Sequence, residues 1–174
     1  MTEILWKRID ISGLEAARLA DRRLQGTAVL RHQREVCSLS YTIDCDEAWH
    51  TRTASVRGWL GAKEIDVAIV AENGMWTLNG EPVERVSGCI DVDLNFSPST
   101  NVLPIRRLNL DVGEEATVRA AWLRFPSFAL EPLEQRYRRL AERKYHYQSG
   151  SFSADLNVDD AGLVLEYAGV WVAV

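Results

Sequence analysis

The chain is poor in the residues and motifs through which most enzymes are recognised. No G-x-S-x-G nucleophile elbow, phosphate-binding P-loop or dinucleotide fingerprint occurs in its 174 residues. Its 3 histidines and 3 cysteines are scattered, and Cys37, Cys45, His32 and His50 lack the paired short loops of structural zinc sites. His50 and His146 lie near aromatics but near no nucleophile. The thiols fit a reduced compartment, as small core side chains. No stretch approaches the ~20 apolar residues of a membrane-spanning helix. The opening MTEILWKRID lacks the basic segment and apolar run of a signal peptide, so a cytoplasmic location is expected. Positive charge is short as well: 20 Lys and Arg against 25 Asp and Glu leave a net charge of −5. That argues against nucleic acid as a partner, because such binding rests on clustered cations. The basic run Arg136–Lys144 is interrupted by Tyr137, Leu140 and Glu142 and reads as a solvated face. Two acidic stretches fail as calcium loops. Asp91-x-Asp93-x-Asn95 has Phe96 where glycine is needed, and Asp155-x-Asn157-x-Asp159 has Asp160 there. No cofactor is expected.

What the chain does have is period-two alternation. Cys37, Leu39, Tyr41, Ile43 and Cys45 share one strand face, with Ser38, Ser40, Thr42 and Asp44 on the other. Ala54, Val56 and Leu60 repeat the pattern, as do Ile65, Val67 and Ile69, and again Phe152, Ala154, Leu156 and Val158. Asn73-Gly74 and Asn79-Gly80 are two-residue hairpin signals, since both positions of each pair tolerate positive φ. No β-α-β alternation is visible, so the expectation is one mainly β domain over residues 1–174. Two segments stay ambiguous. Leu14–Leu24 can be drawn as a helix with Ser12 and Glu15 as a capping box. Leu133–Arg143 places Leu133, Tyr137, Leu140 and Ala141 at helical spacing, with Pro132 suited to the first position.

The most distinctive stretch is Gly88–Leu110, GCIDVDLNFSPSTNVLPIRRLNL. It begins as a strand with Ile90, Val92 and Leu94 on one face and Cys89, Asp91 and Asp93 on the other. Ser97-Pro98 breaks it, Ser99 or Thr100 offers a hydroxyl N-cap, and Pro104 suits the first turn of a short helix. Val102, Leu103, Ile105, Leu108 and Leu110 are more apolar surface than one face needs, which places the helix inside. Arg106 and Arg107 go inside with it or to the edge of the core. A buried cation needs a partner, so at least one should pair with Asp91 or Asp93.

The run DVDLNFSPSTNVLPIRRLNL resembles the signature of the "putative glycolipid-binding" family. Further pieces match: Cys45-Asp46 followed by Trp49, Gly74 with Trp76, Gln135 with Tyr137, and Gly162-Leu163-Val164 with Tyr167. The resemblance covers nearly the whole chain. It implies a spiral β-roll, a long antiparallel many-stranded sheet wrapped around a single short helix near residues 100–109. It also implies extended chain at Leu14–Leu24 and Leu133–Arg143. The function it implies is non-enzymatic binding of an amphiphilic ligand, a glycolipid, in the interior or mouth of the roll. On that reading Asn101, Arg106 and Arg107 meet a polar head, while Trp49, Trp76, Gln135 and Tyr137 line the rest. The 6 tryptophans suit an aromatic wall or, equally, an ordinary core. Two other functions compete: a hydrolase using Asp91 or Asp93, and a homodimeric interaction protein with a packed core.

Overall fold

In the computed structural model, which describes residues 1–174, the alternation of the N-terminal half becomes a meander. It runs through β1 (Thr2–Arg8), β2 (Gly13–Ala20), β3 (Arg23–His32), β4 (Glu35–Cys45), β5 (Thr51–Leu60), β6 (Lys63–Glu72), β7 (Met75–Leu78) and β8 (Glu81–Pro82). Each strand pairs antiparallel with the next. Asn73, Gly74, Asn79 and Gly80 all adopt positive φ (52°, 78°, 51° and 85°), the hairpin geometry that matches strand twist. The inward residues Cys37, Leu39, Tyr41, Ile43, Ala54, Val56, Leu60, Ile65, Val67 and Ile69 are all buried.

The chain then crosses to the opposite edge through β9 (Asp91–Leu94), a 3-10 turn at Ser99–Asn101 and α1 (Val102–Leu108). It returns through β10 (Glu115–Arg124), β11 (Ala129–Ala141), β12 (Lys144–Ser149), β13 (Phe152–Val158), β14 (Val164–Tyr167) and β15 (Trp171–Ala173). β15 pairs with β1, so all fifteen strands form one sheet with β8 and β9 at its edges. The result is a spiral β-roll, not a closed barrel. One pair, β9 with β10, is parallel, which makes the sheet mixed where a purely antiparallel one was expected. The reason is local: the connection from β9 to β10 carries α1, and a parallel pair needs such a long crossover. β9 also returns toward β5, where the Val92 N–H donates to Thr51 Oγ1 at 3.0 Å and the Thr51 N–H to the Ile90 carbonyl at 3.2 Å.

α1 is the plug of the roll. Val102 and Leu103 are fully buried in a core of 31 residues, while Ile105 joins a second cluster of 9 that includes Tyr137, Tyr145, Tyr147 and Leu156. Burying side chains of this size contributes roughly 1.5–3 kcal/mol each. Two local expectations are corrected. Ser99 and Thr100 do not cap α1: the Ser99 hydroxyl meets that of Ser97 at 2.6 Å, and Thr100 Oγ1 accepts from the Leu94 N–H at 3.4 Å. The helix starts instead from the 3-10 turn, whose carbonyls accept the Val102 N–H. Ile90 is exposed and Cys89 buried, just ahead of β9. β9 is covered on both sides, with Asp91, Val92 and Leu94 all buried, so alternation there no longer separates inside from outside.

Both ambiguous segments are strands. β2 turns Glu15, Ala17 and Leu19 inward, and β11 does the same with Gln135 and Tyr137. Each is hydrogen-bonded along both edges, and that pairing overrides their helical spacing. Pro132 lies within β11 opposite Ala121 and starts no helix. No helix is long and apolar enough to cross a membrane.

Candidate functional site

A cleft of about 400 Å³ opens on the inner face of the roll. Its walls come from eight neighbouring strands, from β9 through β15 to β1. Register brings the side chains together: Asp93 lies beside Trp122, Tyr167 opposite Trp171, and Trp171 opposite Arg8. Phe152, Tyr147 and Leu133 continue the wall, and Ser97 and Asn101, just ahead of α1, form part of the floor. Tyr147, Phe152 and Tyr167 make a triangle with ring centroids 6.0 to 6.2 Å apart, and Tyr137 meets Tyr147 at 5.2 Å. Phe152, expected among the inward residues of its strand, is 45% exposed and presents its ring at the opening.

The floor is a polar network. Gln135 is buried; its Nε2 donates to Asp93 Oδ2 at 2.6 Å and contacts the Tyr147 hydroxyl at 3.2 Å. Beside it, the Tyr137 hydroxyl donates to Asn101 Oδ1 at 2.9 Å, and Asn101 Nδ2 donates to the Pro98 carbonyl at 3.0 Å. Asp93 is half-buried and has no cation beside it. Burial pushes its carboxyl up to about 6, against the Gln135 hydrogen bond and with some help from the charge of Asp91. Asp93 Oδ1 has no protein partner and opens on the cleft.

Behind the floor stands a second buried acid. Glu15 Oε1 accepts from the Tyr41 hydroxyl at 2.6 Å and from the Ser97 hydroxyl at 2.5 Å, while Oε2 is buried without a partner. Burial raises this carboxyl to about 7 despite those two hydrogen bonds and the charge of Arg8. At the rim, Arg8 donates through Nε to Asp10 Oδ1 at 2.7 Å and through Nη2 to Oδ2 at 3.1 Å. Its guanidinium lies 5.2 Å from the centroid of Trp171. Burial would raise Asp10, but the Arg8 hydrogen bond and charge outweigh it and hold the carboxyl below its ordinary value. The site thus combines aromatic walls, an ion pair at the rim and a carboxylate at the floor with one oxygen free of protein partners. Chemically, it accepts hydrogen bonds from hydroxyls or ammonium groups and stacks against apolar ring faces.

The model of the family described as "Putative glycolipid-binding" matches residues 3–173. The chain belongs to this family. A crystal structure of a DUF1089 family protein from Pseudomonas aeruginosa, at 1.80 Å resolution, has the same fold. The two are 33% identical with a TM-score of 0.88, and the match covers 94% of this chain and 92% of that one. No curated protein matches the chain.

The residues expected to serve glycolipid binding do not all meet at the cleft. Asn101 lines it, with Gln135 and Tyr137 directly attached through hydrogen bonds. Arg107 is engaged elsewhere: it binds the buried Asp91 in bidentate fashion, with Nε to Oδ1 at 3.0 Å and Nη2 to Oδ2. This is the arginine–aspartate pair that the sequence called for. Arg106 is exposed, and its guanidinium sits 5.4 Å from the Trp49 ring centroid, away from the cleft lining. Trp76 is a core residue, 2% exposed, and its indole N–H donates to the Cys89 carbonyl at 3.0 Å. Trp6 and Trp171 are likewise buried. Sequence reasoning missed Glu15, Arg8, Ser97, Tyr147 and Phe152. The one available signal was Glu15, an acid at an inward position of an alternating strand.

The remaining titratable groups form no second site of this kind. All three thiols are free; Cys37 and Cys89 are buried, whereas Cys45, expected to be buried, is half-buried because it ends its strand. Burial still raises the Cys45 thiol to about 12.

Proposed function

We propose that the protein binds an amphiphilic molecule, a glycolipid in the simplest case, with its hydroxyl-bearing head group in this cleft. The observation that carries the reading is the unpartnered oxygen of Asp93 among aromatic walls. A half-buried carboxylate without a cation is costly unless a ligand supplies donors. A sugar supplies both hydroxyls for Asp93 and an apolar C–H face for Trp122 or Phe152. The cleft lies at the mouth of the roll, because the interior behind it is filled by packed side chains. A cytoplasmic site of action and a homodimer remain part of this reading as expectations for the same assays.

The hydrolase alternative now rests on Asp93 alone, since Asp91 is held by Arg107. What favours it is the raised carboxyl of Asp93, in the range of a general acid at neutral pH. Native mass spectrometry of the purified protein, with and without organic extraction, tests the main reading and reports the oligomeric state. A bound amphiphile is expected in the wild type and should be lost or reduced in Asp93→Asn and Trp122→Ala. Retention of the same amphiphile in both variants would place binding elsewhere. Shortened or cleaved species appearing on incubation with wild type, but not with Asp93→Asn, would favour hydrolysis.

A further inference from the structure

The cleft accounts for a head group but leaves the apolar part of an amphiphile without a place. At about 400 Å³ it is near the lower end of the ~300–1,000 Å³ range of small-molecule pockets. Its floor is made of hydrogen-bonded polar groups, and behind them the roll is a close-packed core. An alkyl chain attached to a bound head group must therefore leave over the rim.

One side of that rim is shared with a larger depression. Arg8 and Asp10 line the cleft and also a groove of about 830 Å³ between the β1–β2 turn and the ends of β3 and β4. The groove exposes Ile9, Leu14 and Val29 by 52%, 50% and 46%, and Leu14 and Val29 are direct partners across β2 and β3. Other exposed apolar residues, such as Met75 and Val112, lie outside it and need no explanation singly. We infer that this groove holds the unbranched alkyl or acyl chain of the ligand whose head group occupies the cleft, with the Arg8–Asp10 pair beneath the junction. The methylene stem of Arg8 gives the chain an apolar crossing, while its guanidinium stays with Asp10 and Trp171. The inference rests on the head-group reading above, but it can fail separately.

The test uses methyl, hexyl, octyl and decyl β-maltosides below their critical micelle concentrations, titrated calorimetrically into the protein. Full burial of a methylene tightens binding about fourfold, so a groove that covers one side of the chain should give roughly twofold per methylene. Wild type should thus gain about an order of magnitude from hexyl to decyl. In Leu14→Ser/Val29→Ser that gain should vanish while methyl maltoside binds as before. Both positions are half-exposed on strands, and a thermal melt confirms that the double variant is folded. Asp93→Asn should weaken all four probes by a common factor and keep the chain-length gain. A chain-length gain that survives in the double variant overturns the groove, as does its absence in wild type that binds methyl maltoside. A gain lost in the double variant together with no effect of Asp93→Asn upholds the groove and overturns the head-group site. Failure of wild type to bind any of the four overturns both.

Discussion

Asp91 and Asp93 are two positions apart, and their surroundings give them opposite parts. Asp91 is buried against Arg107, whose side chain is 13% exposed, so the pair is a structural cross-link between β9 and α1. Removing one partner of a buried pair costs about 3–5 kcal/mol, because the other charge is left uncompensated. Arg107→Ala should therefore lower the urea midpoint severely. Arg106→Ala should cost about 0.5–1 kcal/mol, the worth of an exposed cation–π contact with Trp49. Equal losses in the two variants would remove Arg107 from its structural role. Glu15 and Asp93 act through pH. Both have folded pKa values above their ordinary ones, about 7 against 4.5 and about 6 against 3.8. Their contribution to stability is full below the lower values and is lost as pH rises through the higher ones. Asp10, Asp46 and Asp155 have lowered values and work in the opposite sense, losing stability only as the solution becomes more acid than 3.8. Unfolding free energy should therefore decline between pH 4.5 and 8, by on the order of 3 kcal/mol from Glu15. Glu15→Gln should flatten that decline. Parallel pH curves for wild type and variant in denaturant titrations would show that Glu15 is not the titrating group.

At the scale of elements, α1 follows directly on the Ser97–Asn101 segment that lines the cleft. It is seated against the turn between β13 and β14, where Gly162 has φ +86°. A Cβ there would lie 3.3 Å from both Ile105 Cγ2 and Val102 Cγ2, on the buried face of the helix. Gly162→Ala combines backbone strain with this crowding and should cost about 1–2 kcal/mol. For a chain of this size that is a fall of roughly 2–8 °C in melting temperature, read by circular dichroism. An unchanged melt would mean that the turn moves freely with the helix. The hairpins at Asn73-Gly74 and Asn79-Gly80 were legible from local chemistry alone, since few other residue pairs accept positive φ twice. β2 and β11 were not. Their residues satisfy a helical and an extended pattern equally, and only neighbouring strands on both sides decide between them.

The whole molecule depends on a short seam. Trp6–Ala173, Lys7–Val172 and Arg8–Trp171 are the only register pairs that join β1 to β15, and through them the two halves of the sheet. The Trp6 indole reinforces the seam by donating to the Val164 carbonyl at 2.5 Å, and Trp171 is 2% exposed. The cleft straddles this seam, with Arg8 from one half and Trp171, Tyr167 and Tyr147 from the other. Deleting residues 170–174 should leave the facing edges of β1 and β14 unpaired and expose the core. Loss of near-ultraviolet circular dichroism with new dye binding is the expected result. A truncated protein with a cooperative, near-native melt would show that the halves hold together without β15.

Local chemistry determined much of this protein before any tertiary contact was considered. Alternation marked the β class and most inward faces, and Asn-Gly pairs marked two turns. The apolar Val102–Leu108 segment marked the one helix, and its arginines demanded an acidic partner. These follow from residue types acting over a few positions. The set of residues that gathers at the cleft was a different matter. Asn101, Gln135 and Tyr137 were reached through family resemblance, while Arg106, Trp49 and Trp76 went elsewhere because the orientation of α1 and the depth of the core are not written in local spacing. Glu15, Asp93 and Ser97 are separated by as many as 82 positions and become neighbours across the cleft floor only when the sheet rolls. Which carboxylate is neutralised and which faces the cleft depends on the burial and partners each acquires in that rolled sheet, and those exist only in three dimensions.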